Sequence, residues 1–158
     1  MRSTDGDRVL VPELLRERTA DVLRNYAAGA GLTVDTYPHD DGVADVGALA
    51  DRAGEDTIMI YAETPTVRGT VEESLSEIGA VADEHGALFC LGSDPVALSL
   101  LEEPAAAGAD VVVGDAATLG LGTAYGMGTG LFACREDFLR QVPGRLVGAT
   151  TDAAGRRA

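Results

Sequence analysis

The sequence has no lysine and no tryptophan; all twelve basic residues among its 158 are arginine. Without lysine there is no phosphate-binding P-loop, whose pattern ends in Lys followed by Ser or Thr. Twenty-six acids stand against those twelve arginines, giving a net charge of −14. A nucleic-acid partner is therefore excluded, because phosphate binding needs a basic footprint. Aromatic residues are only 4% of the chain, so the core must be built from Ala, Val, Leu and Ile. The two cysteines, Cys90 and Cys134, sit alone in apolar runs. They are expected to be buried thiols in a reducing cytosol rather than a disulfide or metal pair. His39 and His85 are isolated, and no His/Cys cluster has metal-ligand spacing. No run reaches the roughly 20 apolar residues of a membrane span. The opening MRSTDGDRV lacks the apolar segment of a signal peptide, so a cytoplasmic location is expected.

What is present is enough for one packed domain. Hydrophobic residues make up 46% of the chain, which argues against disorder. A chain of this size buries roughly 70% of the surface its unfolded form exposes. The acid excess without lysine points to a high-salt cytoplasm, where screening tolerates like charge.

Strand and helix patterns alternate along the chain. RVLVP (Arg8–Pro12) reads as a strand, and residues 13–31 follow at helical spacing, closed by Gly29 and Gly31. Residues 33–38 alternate as a strand, and residues 45–54 form a short helix with Asp45 as N-cap. TIMIYAE (57–63) is a continuous, buried-type strand. Residues 70–86 read as a helix, with Thr70 and Glu73 as a capping box and Gly86 as the stop. ALFCLG is a strand, and PVALSLL is a helix with Pro95 at its first position. ADVVVG (109–114) and GLFACR (130–135) are the last strands, and EDFLRQV is a last short helix. The alternation predicts a mainly parallel sheet covered on both faces, an α/β fold with three layers. Residues 143–158 carry no apolar periodicity and are expected to form a loose, irregular tail beyond a domain of residues 1–142.

Five of the eleven residues in GLGTAYGMGTG (120–130) are glycine, as in a dinucleotide-binding loop. The spacing fails: after Gly120 and Gly122 the third place is Tyr125, and after Gly126 and Gly128 it is Leu131. A strand follows, so no helix N-terminus faces a pyrophosphate. The loop reads as a wide turn between two strands.

A resemblance then stands out. SDP with SLL (93–101), GADVVVGD (108–115), TLG (118–120), GLFACRE and QVPGRLVGATTD (141–152) occur in an order that resembles the first, or alpha, subunit of glycine decarboxylase. This is the two-subunit form of the glycine cleavage system P-protein. RVLVP and TIMIYAETP match upstream, so the resemblance covers nearly the whole chain. It implies part of the large domain of the pyridoxal-phosphate-dependent transferase fold, of the aspartate aminotransferase type. It implies a role in decarboxylating glycine and passing the aminomethyl group to the lipoyl arm of H-protein.

The departures from that family bear on the chemistry. A pyridoxal enzyme holds its cofactor as a Schiff base on lysine, and this chain has none. By the resemblance, the catalytic subunit's lysine falls near Thr118, and the carboxylate facing the pyridine nitrogen falls near Gly92. The chain is accordingly expected to bind no cofactor and to pair with a beta subunit that carries pyridoxal phosphate. The family's Gly-Gly-Pro turn appears as Gly126, Met127, Gly128. The family's subunit is much longer, so the sequence reads as a piece of it, inactive alone. The alternative is a free-standing interaction module or pseudo-subunit that binds the beta subunit or itself. An unrelated small ligand-binding domain is a third reading that nothing in the sequence favours.

The resemblance marks Asp94, Thr118, Gly126, Arg145, Thr150 and Asp152 as candidate interface or active-site-lining residues; no catalytic residue is assigned. Each has a plainer reading beside it. Asp94 ends a strand where α/β sheets bind ligands, but as a helix N-cap it is better explained. Arg145 could bind a carboxylate with its planar fork or simply meet a surface acid. Asp110 reads as a strand-entry residue. His85 suits a helix C-terminus, and His39 lies in the polar stretch HDDG.

Overall fold

The computed structural model describes residues 6–120, 128–142, 144 and 148–157. Its centre is a six-stranded sheet. The strands that build it are β1 (Arg8–Pro12), β2 (Thr33–Tyr37), β5 (Thr57–Thr64), β6 (Leu88–Ser93), β7 (Val111–Asp115) and β8 (Gly130–Cys134). Their spatial order is β2-β1-β5-β6-β7-β8. All neighbours are parallel except β7 and β8, which pair antiparallel from Val111↔Cys134 to Asp115↔Gly130. The glycine-rich segment lies between two strands, as expected, and these pair antiparallel; residues 121–127 within it lie outside the described residues.

Side chains alternate across each strand, so one sheet builds two apolar layers. Leu10, Ile60, Ala62, Phe89 and Leu91 face Leu49 of helix α2 (Val46–Arg52) and Ile78, Val81 and Ala82 of helix α3 (Leu75–Glu84). Val9, Val11, Tyr61 and Cys90 face the other way, with Leu23 of helix α1 (Glu17–Ala30) among the residues packed on them. Burial pushes the Cys90 thiol up to about 12, as expected for a core thiol. The covering is uneven. Strand β8 is exposed along most of its length, with Leu131 and Phe132 open to solvent.

Local sequence explains most element ends. Gly31 stops α1 in the left-handed region at φ 73°, its N–H reaching back to Ala27 O and Ala28 O. Asp45 caps α2 as expected, its Oδ1 accepting from Ala48 N at 2.9 Å. Gly79 lets α3 lie against the chain at Ala107, whose carbonyl oxygen a Cβ would strike.

Four expected helices differ. Helix α1 begins at Glu17 instead of residue 13. Helix α3 begins at Leu75 instead of residue 70, and Thr70 and Glu73 form no capping box. The cause is Glu72, only 4% exposed. Its carboxylate accepts from Ala44 N at 2.7 Å and from Ser74 N at 3.1 Å, and its own N–H donates to Thr64 Oγ1. Tertiary partners thus claim the residues that would have made the first helical turn. PVALSLL shortens to a 3₁₀ turn at Ala97–Ser99, and EDFLRQV becomes a 3₁₀ turn at Glu136–Gln141. His39 lies not in a loop but in β3 (His39–Asp40), paired with β4 (Val43–Ala44) and stacked on Tyr37 at 5.9 Å. Burial lowers its pKa, against the opposing charges of Glu72 and Glu13.

Candidate functional site

A cleft of about 730 Å³ opens at the carboxyl ends of β5, β6 and β7. Ligands bind at this end of open α/β sheets because the strand-to-helix connections diverge there. Each wall comes from one element: Arg16 and Thr19 from the start of α1, Tyr61 and Glu63 from β5, Gly92, Ser93 and Asp94 from β6 and its end, and Asp115 and Thr118 from the end of β7. Thr66, Val67 and Gly69 close it beyond β5.

Tyr61 and Glu63, two apart on one strand, point to the same face. The Tyr61 hydroxyl donates to Glu63 Oε1 at 2.9 Å. Burial pushes the Glu63 carboxyl above its ordinary value, while the Tyr61 hydrogen bond and the Arg16 charge pull the other way. The Tyr61 hydroxyl is also raised, by burial first and then by Glu63. Behind it, the Tyr37 hydroxyl donates to Tyr61 O at 2.8 Å and fixes the strand from the opposite face. Gly92 is paired with Glu63 across the sheet. A Cβ there would collide with the Tyr61 hydroxyl, with Tyr61 Cζ at 2.9 Å and Glu63 Cγ at 3.2 Å.

The expected site residues divide. Asp94 and Thr118 both line the cleft. Asp94 Oδ1 accepts from Val96 N at 2.7 Å and Ala97 N at 3.3 Å, so it does cap the turn that follows. Thr118 donates to Asp115 O at 3.3 Å. Thr150 is exposed and Asp152 lies in a separate local turn. There Asp152 accepts from Ala154 N and Arg156 N and pairs with Arg156 at 2.8 Å. Those hydrogen bonds, Arg156 foremost, hold its carboxyl below the usual range. Gly126 and Arg145 lie outside the described residues. The sequence reading missed Tyr61, Glu63 and Thr66. Their signal was an acid and a tyrosine at strand spacing inside TIMIYAET.

A second, open groove of about 850 Å³ lies at the other end of the sheet, between α3 and the Glu136–Gln141 turn. Asp110, 3% exposed, sits in it. Its Oδ2 accepts from Phe89 N at 3.0 Å and its Oδ1 pairs with Arg135 Nε at 3.3 Å. Arg135 also donates to Ala109 O and Ala105 O. Asp110 thus sits at the entry to β7 and ties it to β6 and to Arg135. Among the described residues no group of His, Cys, Asp and Glu could hold a metal ion. No described helix is long and apolar enough to cross a membrane.

The profile of the glycine cleavage system P-protein family matches residues 1–158. The chain belongs to that family. It is 57% identical over 158 residues to "Probable glycine dehydrogenase (decarboxylating) subunit 1" of Halobacterium salinarum, covering 100% of this chain and 36% of the relative. The high-salt reading of the composition agrees with that source. The protein of the same name from Lysinibacillus sphaericus is 40% identical over 155 residues, covering 98% of this chain and 34% of its own length. The chain thus spans about a third of the length of the curated relatives it matches. Among solved structures, glycine decarboxylase (P-protein) of the glycine cleavage system, in inhibitor-bound form, superposes with a TM-score of 0.86 at 35% identity. That match covers 96% of this chain and 34% of the other. Cystathionine gamma-lyase from Lactobacillus plantarum shares the fold alone, with a TM-score of 0.67 at 22% identity over 88% of this chain and 35% of the other. The sheet is part of the large domain of the pyridoxal-phosphate-dependent transferase fold.

Pyridoxal phosphate does not fit the residues of the P-protein cleft in this chain. There is no lysine to hold it as a Schiff base. The resemblance puts the carboxylate facing the pyridine nitrogen near Gly92, and at Gly92 itself a side chain would strike Tyr61.

Proposed function

We propose that this chain forms part of subunit 1 of a glycine decarboxylase in the glycine cleavage system, a subunit that carries no cofactor of its own. The whole enzyme would decarboxylate glycine and transfer the aminomethyl group to the lipoyl arm of H-protein. Pyridoxal phosphate would sit in the partner, beta subunit. The observation that carries the reading is a family match over residues 1–158 combined with a cleft that lacks lysine and is blocked at Gly92. Residues 1–142 would be the chain's share of the large domain, and residues 143–158 would lead away from it.

The test is glycine–CO2 exchange. The chain alone is expected to give none. Supplied with the remaining two thirds of a subunit 1 and with a subunit 2, exchange is expected to appear and to depend on the partner's lysine. A borohydride-stable pyridoxyl adduct on this chain would overturn the reading.

One observation favours a second reading, an association module. Strand β8 is an edge with Leu131 and Phe132 exposed, and Leu139 in the turn that follows it is exposed too. Such an edge pairs readily with another chain. Capture of subunit 2 with no gain in exchange would support this reading.

A further inference from the structure

We propose that the cleft at the carboxyl ends of β5, β6 and β7 binds the ammonium group of a small molecule on Glu63. The argument rests on the cleft alone and does not depend on the glycine decarboxylase reading.

Glu63 is a half-buried carboxylate whose hydrogen bond, among the described residues, comes from the neutral Tyr61 hydroxyl through Oε1. No described cation forms an ion pair with it. Burying a carboxylate without a cation is unfavourable, and the half-buried state pushes its carboxyl up. Arg16 lines the same cleft and its charge is felt at Glu63, yet it too forms no ion pair among the described residues. Thr66 also lines the cleft; it is 8% exposed, and its hydroxyl has no hydrogen-bond partner among the described residues. A buried polar group left without a partner is uncommon and points to an absent one.

The charge balance selects the sign of the ligand. Glu63, Asp94 and Asp115 line the cleft against Arg16. Asp94 and Asp115 each spend one oxygen on backbone N–H groups, of Val96 and Ala97 and of Ala117 respectively. An anion such as phosphate is disfavoured there. An ammonium group suits it, donating to the free oxygen of Glu63 while Tyr61 holds the other. Two sources share this chemistry: a plain alkylamine, or a free amino acid whose carboxylate reaches Arg16.

The test is calorimetric titration of the full chain with methylammonium and with glycine at fixed ionic strength, using potassium as the reference cation. At least one of the two amines is expected to saturate. Glu63→Gln is expected to weaken it by about tenfold or more, the worth of a charged hydrogen bond. Tyr61→Phe, which keeps the ring, is expected to weaken it by about threefold. Affinity should rise with pH as Glu63 ionises, and the Gln variant should lose that rise. The other ionisable groups lining the cleft with Glu63 are Arg16 before α1, Tyr61 on β5, Asp94 just after β6 and Asp115 on β7; Tyr37, from the opposite face, and Cys90 on β6 act electrostatically on Tyr61. Burial pushes Tyr37, Tyr61 and Cys90 up, so they stay protonated through the range. If Arg16→Gln weakens glycine but not methylammonium, the source is a free amino acid; if it weakens neither, the source is a plain amine. Absence of saturable binding by both, equal saturation by potassium, or unchanged binding in both the Glu63 and Tyr61 variants would overturn the proposal.

Discussion

Two acids of one sheet have opposite surroundings. Asp110, at the amino end of β7, is closed in by the Phe89 N–H and the Arg135 side chain, and Arg135 is itself tied to two carbonyl groups. Glu63, at the carboxyl end of β5, has a neutral tyrosine hydroxyl as its hydrogen-bond partner. The first acid spends its charge on holding strands together. The second, among the described residues, keeps an oxygen unspent in a cleft. Burial alone does not mark a functional carboxylate; unspent bonding capacity at the strand ends does.

The largest effect is expected where the bonds are complete. Asp110→Ala leaves the Phe89 N–H buried without a partner and Arg135 without its carboxylate. The half-exposed Arg135 can rehydrate, so the loss should be about 3 kcal/mol, read from urea unfolding. A loss below about 1 kcal/mol would mean that the amino end is not held by this acid. Next comes Glu72→Ala, which frees the N–H groups of Ala44 and Ser74. It should cost about 2 kcal/mol and increase hydrogen exchange at Ala44. A residue whose carboxylate was merely decorating the α3 entrance would show neither.

Gly92→Ala probes the cleft directly. The new methyl meets the Tyr61 ring and hydroxyl, so Tyr61 must move and its bond to Glu63 is lost. The expected destabilisation is about 1–2 kcal/mol, accompanied by a changed Tyr61 ring resonance. An unperturbed ring would show that position 92 has room for a side chain, and would weaken the argument against a cofactor in this chain.

The sequence carried the strand order along the chain because β1, β5 and β7 are continuous apolar runs bounded by turn residues. It carried Asp94 and Thr118 into the cleft through family resemblance. It did not carry the start of α3, because the competitor for Glu72 is the Ala44 N–H, twenty-eight residues away. The β3–β4 hairpin was legible in principle: Asp41 and Gly42 form a turn with both φ values positive, which the Asp-Gly pair favours. Tyr61 and Glu63 were missed for a different reason. Their spacing puts them on one face, but the space beside them exists only because β6 pairs Gly92 opposite Glu63. That register is a long-range fact, and a run read as a uniformly buried strand hides it.

The smallest effect on stability is expected at Glu63 itself, and its sign separates the two acids most sharply. Burial raises the folded-state pKa of Glu63 above its ordinary 4.5. The stability tied to this group is therefore fully present below that ordinary value and is lost as pH rises through the folded pKa. Glutamine cannot ionise and can still accept the Tyr61 hydroxyl. Glu63→Gln should then leave stability within about 1 kcal/mol of the parent, with the variant equal or more stable at neutral pH. Unfolding free energies measured below and above the carboxyl range in both proteins decide it. A Gln variant that loses as much as Asp110→Ala would mean that Glu63 is spent on the fold after all. The contrast between the two ends of the sheet would then disappear.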